Sequence, residues 1–110
     1  MHVAGQSHGE PDVFVLTLSG DVDLMHVTNL RATLSAAAAR RPDRIVVDVA
    51  DVTFMDTAAL RTFIAIRRRC VATGVGFTLR RPSHVVDRLL TVTHLENVFD
   101  VERPLLAAAA

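Results

Sequence analysis

Apolar and polar positions follow two rhythms along this chain. Val13-Phe14-Val15-Leu16-Thr17-Leu18 is a short β-branched and aromatic run that predicts a strand, turned by Ser19-Gly20. Asp21-Val22-Asp23-Leu24 continues as a short second strand or an extended loop. The spacing then lengthens: Val27, Leu30, Leu34 and Ala38 share one helical face, and Pro42 stops that helix. From Arg44 to Val49 the chain is apolar almost without a break, as in a parallel strand buried on both faces. A second helix is expected from about Thr57 to Ala72, with Thr73-Gly74 as its C-terminal cap. A strand from Gly76 to Arg80 follows, then a third helix opened by Pro82-Ser83 with Val85, Val86, Leu89 and Leu90 apolar, then a strand from Asn97 to Val101. Beyond Pro104, Leu105-Leu106 and four alanines point to a last helix or a frayed tail. Residues 1–12 lack periodicity and are expected to be a flexible lead-in to a domain spanning residues 13–110.

Strand and helix alternate after residue 24, which argues for a single α/β domain with right-handed crossovers. The central helix is amphipathic. At about 100° per residue, Ala59, Leu60, Phe63, Ile64, Ile66, Cys70 and Val71 fill one apolar arc. Arg61, Thr62, Arg68 and Arg69 fill the opposite face, with Thr57 at the edge of the polar arc one turn before Arg61. The C-terminal ends of parallel strands share one edge of such a sheet, where sites usually form. That edge is expected to gather Asp56-Thr57 with Arg81-Pro82-Ser83, putting a hydroxyl and a spare guanidinium near each other.

Asp56 and Thr57 allow two readings. Both residue types accept hydrogen bonds from the free amides of a helix start, so they can be caps and nothing more. A solvent-reachable hydroxyl at a helix N-terminus is also a favourable place for a phosphate, because the dipole and the amides accommodate the added charge.

Composition narrows the function classes. The 110 residues are 50% hydrophobic and 22% charged, with formal net charge zero, so no global field recruits nucleic acid. The five aromatics are all Phe, a poor set for stacking bases. The single cysteine, Cys70, excludes a disulfide framework and reads as a buried, inert thiol. No apolar run approaches the roughly 18 residues of a membrane span, and the N-terminus lacks the regions of a secretory signal, so a cytoplasmic compartment is expected. His2, His8, His26, His84 and His94 show no zinc-like spacing, and no metal or cofactor is expected. Ser83-His84 with Asp87 has the residue types of a hydrolytic relay, but Ser83 is more simply an N-cap and no Gly-rich phosphate loop follows any strand.

Several of these pieces together resemble STAS domains, and among them bacterial anti-sigma factor antagonists. Leu18-Ser19-Gly20-Asp21-Val22-Asp23 follows the first strand, and Val47-Asp48-Val49 leads to Val52-Thr53-Phe54-Met55-Asp56-Thr57. Arg67-Arg68-Arg69 before Gly74 and Leu95-Glu96-Asn97-Val98-Phe99 complete the pattern, from Val13 to Val101. The family's signature is Asp-Ser-Ser/Thr-Gly-Leu; here Asp56, Thr57 and Leu60 match it, while Ala58 and Ala59 replace the second hydroxyl and the glycine.

The resemblance implies a STAS-like single domain, a small mixed sheet with helices packed on it in the order β-β-α-β-α-β-α-β. It also implies a non-catalytic partner switch. Thr57 would be phosphorylated by an anti-sigma factor kinase of the histidine-kinase-like ATPase fold. The unphosphorylated surface would dock on that kinase and free a sigma factor, and a separate phosphatase would reset the switch. Asp21, Asp23, Asp56, Thr57, Ala58, Leu60, Arg61, Arg81 and Ser83 would form the contact surface, without direct nucleic-acid or membrane contact. Two further readings stay open: a STAS interaction module that is never phosphorylated, and a domain holding a small anionic ligand at the strand-end edge through Arg81.

Overall fold

The longest strand of the molecule, Arg44–Met55, runs through the middle of its sheet and sets the position of everything around it. The computed structural model describes residues 1–8 and 12–103. In chain order these form β1 (His2–His8), β2 (Val13–Val22), a 3-10 turn (Leu24–His26), α1 (Val27–Ala39), β3 (Arg44–Met55), α2 (Thr57–Thr73), β4 (Gly76–Arg80), α3 (His84–Val92) and β5 (Asp100–Glu102). The sheet order is β1-β2-β3-β4-β5, antiparallel between β1 and β2 and parallel thereafter. This is the small mixed sheet that the resemblance to STAS domains implies.

Each parallel connection steps to the next strand in the same direction, so right-handed crossovers put all three helices on one face. The core lies there. Ile45, Val47 and Val49 of β3 meet Leu16 and Leu18 of β2, Leu30 and Leu34 of α1, Phe63 and Ile66 of α2, and Val86 and Leu90 of α3. Val46, Asp48 and Thr78 alternate onto the other face and are also buried, so β3 is covered on both sides, as its apolar run predicts.

Several expectations change. The stretch expected to be a lead-in contains β1: His2–His8 pairs with β2 in an unbroken register from His2↔Ser19 to His8↔Val13. Its sequence has almost no apolar period because it is an edge strand that buries little. The strand expected at residues 13–18 and the short second strand or extended loop expected at 21–24 resolve into one strand, Val13–Val22, with Leu24 in the 3-10 turn. Gly20, at φ +77°, adopts a left-handed conformation that absorbs a register shift between β2 and β3 and does not reverse the chain. The element order therefore matches the expected one, with its first two strands placed differently.

β3 is also twice as long as its apolar core suggests, because Ser19–Val22 of β2 keeps pairing with Asp51–Met55. Near the C-terminus, Phe99 is not in the ladder: it is buried against Phe77 with ring centroids 6.3 Å apart, and β5 begins only at Asp100. The tail expected beyond Pro104 lies outside the described residues.

α2 starts and stops where expected. Asp56 caps its start, and Gly74, at φ +76°, caps its end while the Val75 amide returns to the Cys70 carbonyl at 2.9 Å. Two wheel positions exchange roles: Thr62 is buried and donates its hydroxyl to the Ala58 carbonyl at 3.1 Å, whereas Val71 is 63% exposed. A threonine that satisfies its hydroxyl within its own helix behaves as a small apolar residue, which polarity alone does not reveal. Cys70 is buried, and that burial raises its thiol pKa despite the opposing charge of Arg69.

Candidate functional site

β3 delivers the chain to Asp56, the pivot between strand and helix. The Asp56 amide donates to the Val22 carbonyl at the end of β2. Its Oδ1 accepts from the Ala59 amide at 3.1 Å, the N-terminal cap of α2, and its Oδ2 accepts from the Leu24 amide at 2.9 Å. Both carboxylate oxygens are thus engaged, and one side chain ties the helix start to the loop after β2.

That loop is held internally as well. Asp23 accepts from the Met25 amide at 3.0 Å and lies 2.9 Å from Nδ1 of His26. Asp21 accepts from the Thr53 hydroxyl at 3.1 Å across the β2–β3 pair. Asp21, Asp23 and Asp56 therefore stand at the same end of the sheet, each with a structural bond.

Thr57, the first residue of α2, is exposed. It borders a shallow cavity of about 220 Å³ lined by Thr57, Leu60, Arg61, Ile64, Thr93 and Leu95. Leu60 is 2% exposed, a core residue forming the cavity floor and not a free contact. Ala58 is half-buried; Arg61 is exposed and makes no ion pair among the described residues.

Arg81 and Ser83 do not join this group. β4 ends at Arg80, which pairs with Asp48, while β3 runs on from there to Met55. At about 3.3 Å per residue, Thr57 lies on the order of 25 Å beyond that level along the strand direction. The guanidinium of Arg81 is not spare either, since its Nη2 donates to Asp48. Arg80 donates to the same carboxylate through Nε at 3.2 Å and Nη2 at 3.1 Å. Burial pushes the Asp48 carboxyl up, but bonds from Arg81, the Ala50 amide and Arg80, with the charge of Arg81, outweigh it and hold the pKa below the usual range.

Ser83 caps α3, accepting from the Val86 amide at 3.4 Å. Asp87 is engaged by Arg103 at 2.8 and 3.1 Å, so Ser83, His84 and Asp87 show no catalytic relay. Among the described residues no group of three or more His, Cys, Asp or Glu is placed to hold a metal, and no helix is long and apolar enough to cross a membrane.

The structure brings two further residues to this end of the sheet. Leu24 is 70% and Met25 88% exposed, both on the loop that Asp56 holds beside Thr57. Large apolar side chains so exposed on an ordered turn are a contact signal. Their only mark in the sequence is an apolar pair directly after two aspartates, outside any helical or strand period.

A sequence-family model described as "Mlab, STAS domain" matches residues 6–106. The chain belongs to the STAS domain family. Solved structures agree with this fold. An anti-sigma factor antagonist from Mycobacterium paratuberculosis aligns with a TM-score of 0.83 and 22% identity, over 98% of this chain and 90% of that one. The anti-sigma factor antagonist SpoIIAA in its unphosphorylated form aligns at 0.74 and 21% identity, over 96% and 93%. The phosphorylated form of SpoIIAA from Bacillus aligns at 0.68 and 20% identity, over 96% and 97%. At these identities the likeness establishes the fold of this STAS domain, and its chemistry rests on its own residues.

Proposed function

We propose that this STAS domain is a cytoplasmic anti-sigma factor antagonist whose binding surface is switched by phosphate on Thr57. The observation that carries the reading is the position of Thr57: an exposed hydroxyl on the first turn of α2, beside the exposed Leu24-Met25 pair and on a frame fixed by Asp56. The domain acts as substrate and binder, not as catalyst.

In the unphosphorylated state Leu24, Met25, Thr57, Arg61 and the cavity between α2 and the end of α3 form a mixed apolar and polar contact surface. Its partner is an anti-sigma factor kinase of the histidine-kinase-like ATPase fold, and docking frees a sigma factor. Phosphate on Thr57 brings about −1.5 to −2 charges. The helix N-terminus tolerates that charge, so the fold persists. Asp23 and Asp56 stand on the same surface, and burying the phosphate there without a matched cation is costly. The partner is released, and a phosphatase restores the binding form.

Calorimetry of three proteins against the anti-sigma factor kinase tests this. Wild type and Thr57→Ala should bind alike, and Thr57→Glu at least about tenfold more weakly. Equal binding by all three would refute the switch while leaving a fixed docking module.

A further inference from the structure

We propose that β1 is a docking edge for a second copy of this chain, pairing antiparallel about a two-fold axis at Gly5. β1 bonds only to β2, so among the described residues its outer edge carries unpaired backbone N–H and C=O groups. Native proteins guard such edges with charges, proline, bulges or short length. This one has none of these guards: it is seven residues long, contains no Lys, Arg, Asp, Glu or Pro, and keeps an unbroken register with β2. What fits an open strand edge is another extended strand.

The pattern of the edge favours its own copy. With Gly5 on the axis, Ala4 lies opposite Gln6 of the second copy, Val3 opposite its Ser7 and His2 opposite its His8, so no Lys, Arg, Asp or Glu meets a like charge in the pairing. The chain's formal net charge is zero, so two copies meet without long-range repulsion. The axis is also clear of the Thr57 surface. Gly5 pairs with Leu16, which pairs with Val47, and β3 continues from there to Met55, roughly 25 Å further along the strand. One added strand buries less than the ~1,200 Å² of a small stable interface, so the dimer is weak and concentration-dependent.

Sedimentation equilibrium with interference optics tests this, since the chain has no Trp or Tyr for absorbance. Wild type should show reversible dimerisation, and amides of β1 should exchange more slowly in concentrated than in dilute samples. Ala4→Lys/Gln6→Lys sets two like-charge pairs across the axis and should weaken dimerisation about tenfold, as should Ala4→Glu/Gln6→Glu. An equimolar mixture of the two variants should regain dimers through two Lys–Glu pairs, which unfolded variants would not do. A wild type monomeric at all concentrations, a Lys variant that dimerises undiminished, or a mixture that stays monomeric would each overturn the proposal.

Discussion

The carboxylate of Asp56 holds the amide of Leu24 at 2.9 Å, joining the helix start that carries Thr57 to the loop that carries the exposed apolar pair. Because the other oxygen caps α2 through Ala59, the two halves of the candidate surface share one anchor. Asp56→Ala should remove both bonds and cost about 1–2 kcal/mol in urea unfolding. Asp56→Asn keeps one acceptor oxygen, enough for the cap. It should lose about 1 kcal/mol and speed amide exchange at Leu24 while leaving α2 protected. Unchanged exchange at Leu24 would show that the loop holds its place without Asp56.

Met25→Asp addresses the apolar half of the surface. The side chain is 88% exposed, so stability should stay within about 0.5 kcal/mol of wild type. Affinity for the proposed anti-sigma factor kinase partner should fall at least about tenfold, because a desolvated carboxylate replaces an apolar contact. Unaltered affinity in calorimetry would remove Leu24-Met25 from the docking surface.

Asp48 sets an acid limit. Its carboxyl pKa is held below the usual range in the folded protein, so its contribution is fully present above the unfolded value, near pH 4. That contribution should fade as pH falls through the lower folded value. Asp48→Asn should cost about 2 kcal/mol at neutral pH. The gap to wild type should narrow below about pH 4, read from urea midpoints across pH. A gap constant down to pH 2 would mean that the ionised state of Asp48 contributes nothing.

Gly74→Ala isolates a backbone term. A Cβ there meets no atom within 4 Å, so the cost arises only from the left-handed φ of +76°. Thermal unfolding should show a loss of about 1 kcal/mol with the binding surface intact.

How much of this was legible before the fold depended on the kind of signal. α2, with its Asp56 and Gly74 caps, and the buried run of β3 were read directly, since period and cap chemistry are local. β1 leaves no such mark, because an edge strand needs no apolar period, and the full length of β3 is set by its pairing with β2. The length of β3 also decides the site: a short β3 puts Arg81 beside Thr57, whereas its full length separates them and leaves Arg81 on Asp48. Leu24 and Met25 gained meaning only when the Asp56 bond fixed their loop next to Thr57.

Intact-mass spectrometry with peptide mapping tests the central claim most directly. The protein is mixed with ATP and the anti-sigma factor kinase, then assayed for the complex. The expected result is a single phosphate on Thr57 and loss of complex formation in step with its addition. A complex that forms while Thr57 stays unmodified, or one that persists after Thr57 is phosphorylated, would contradict the switch.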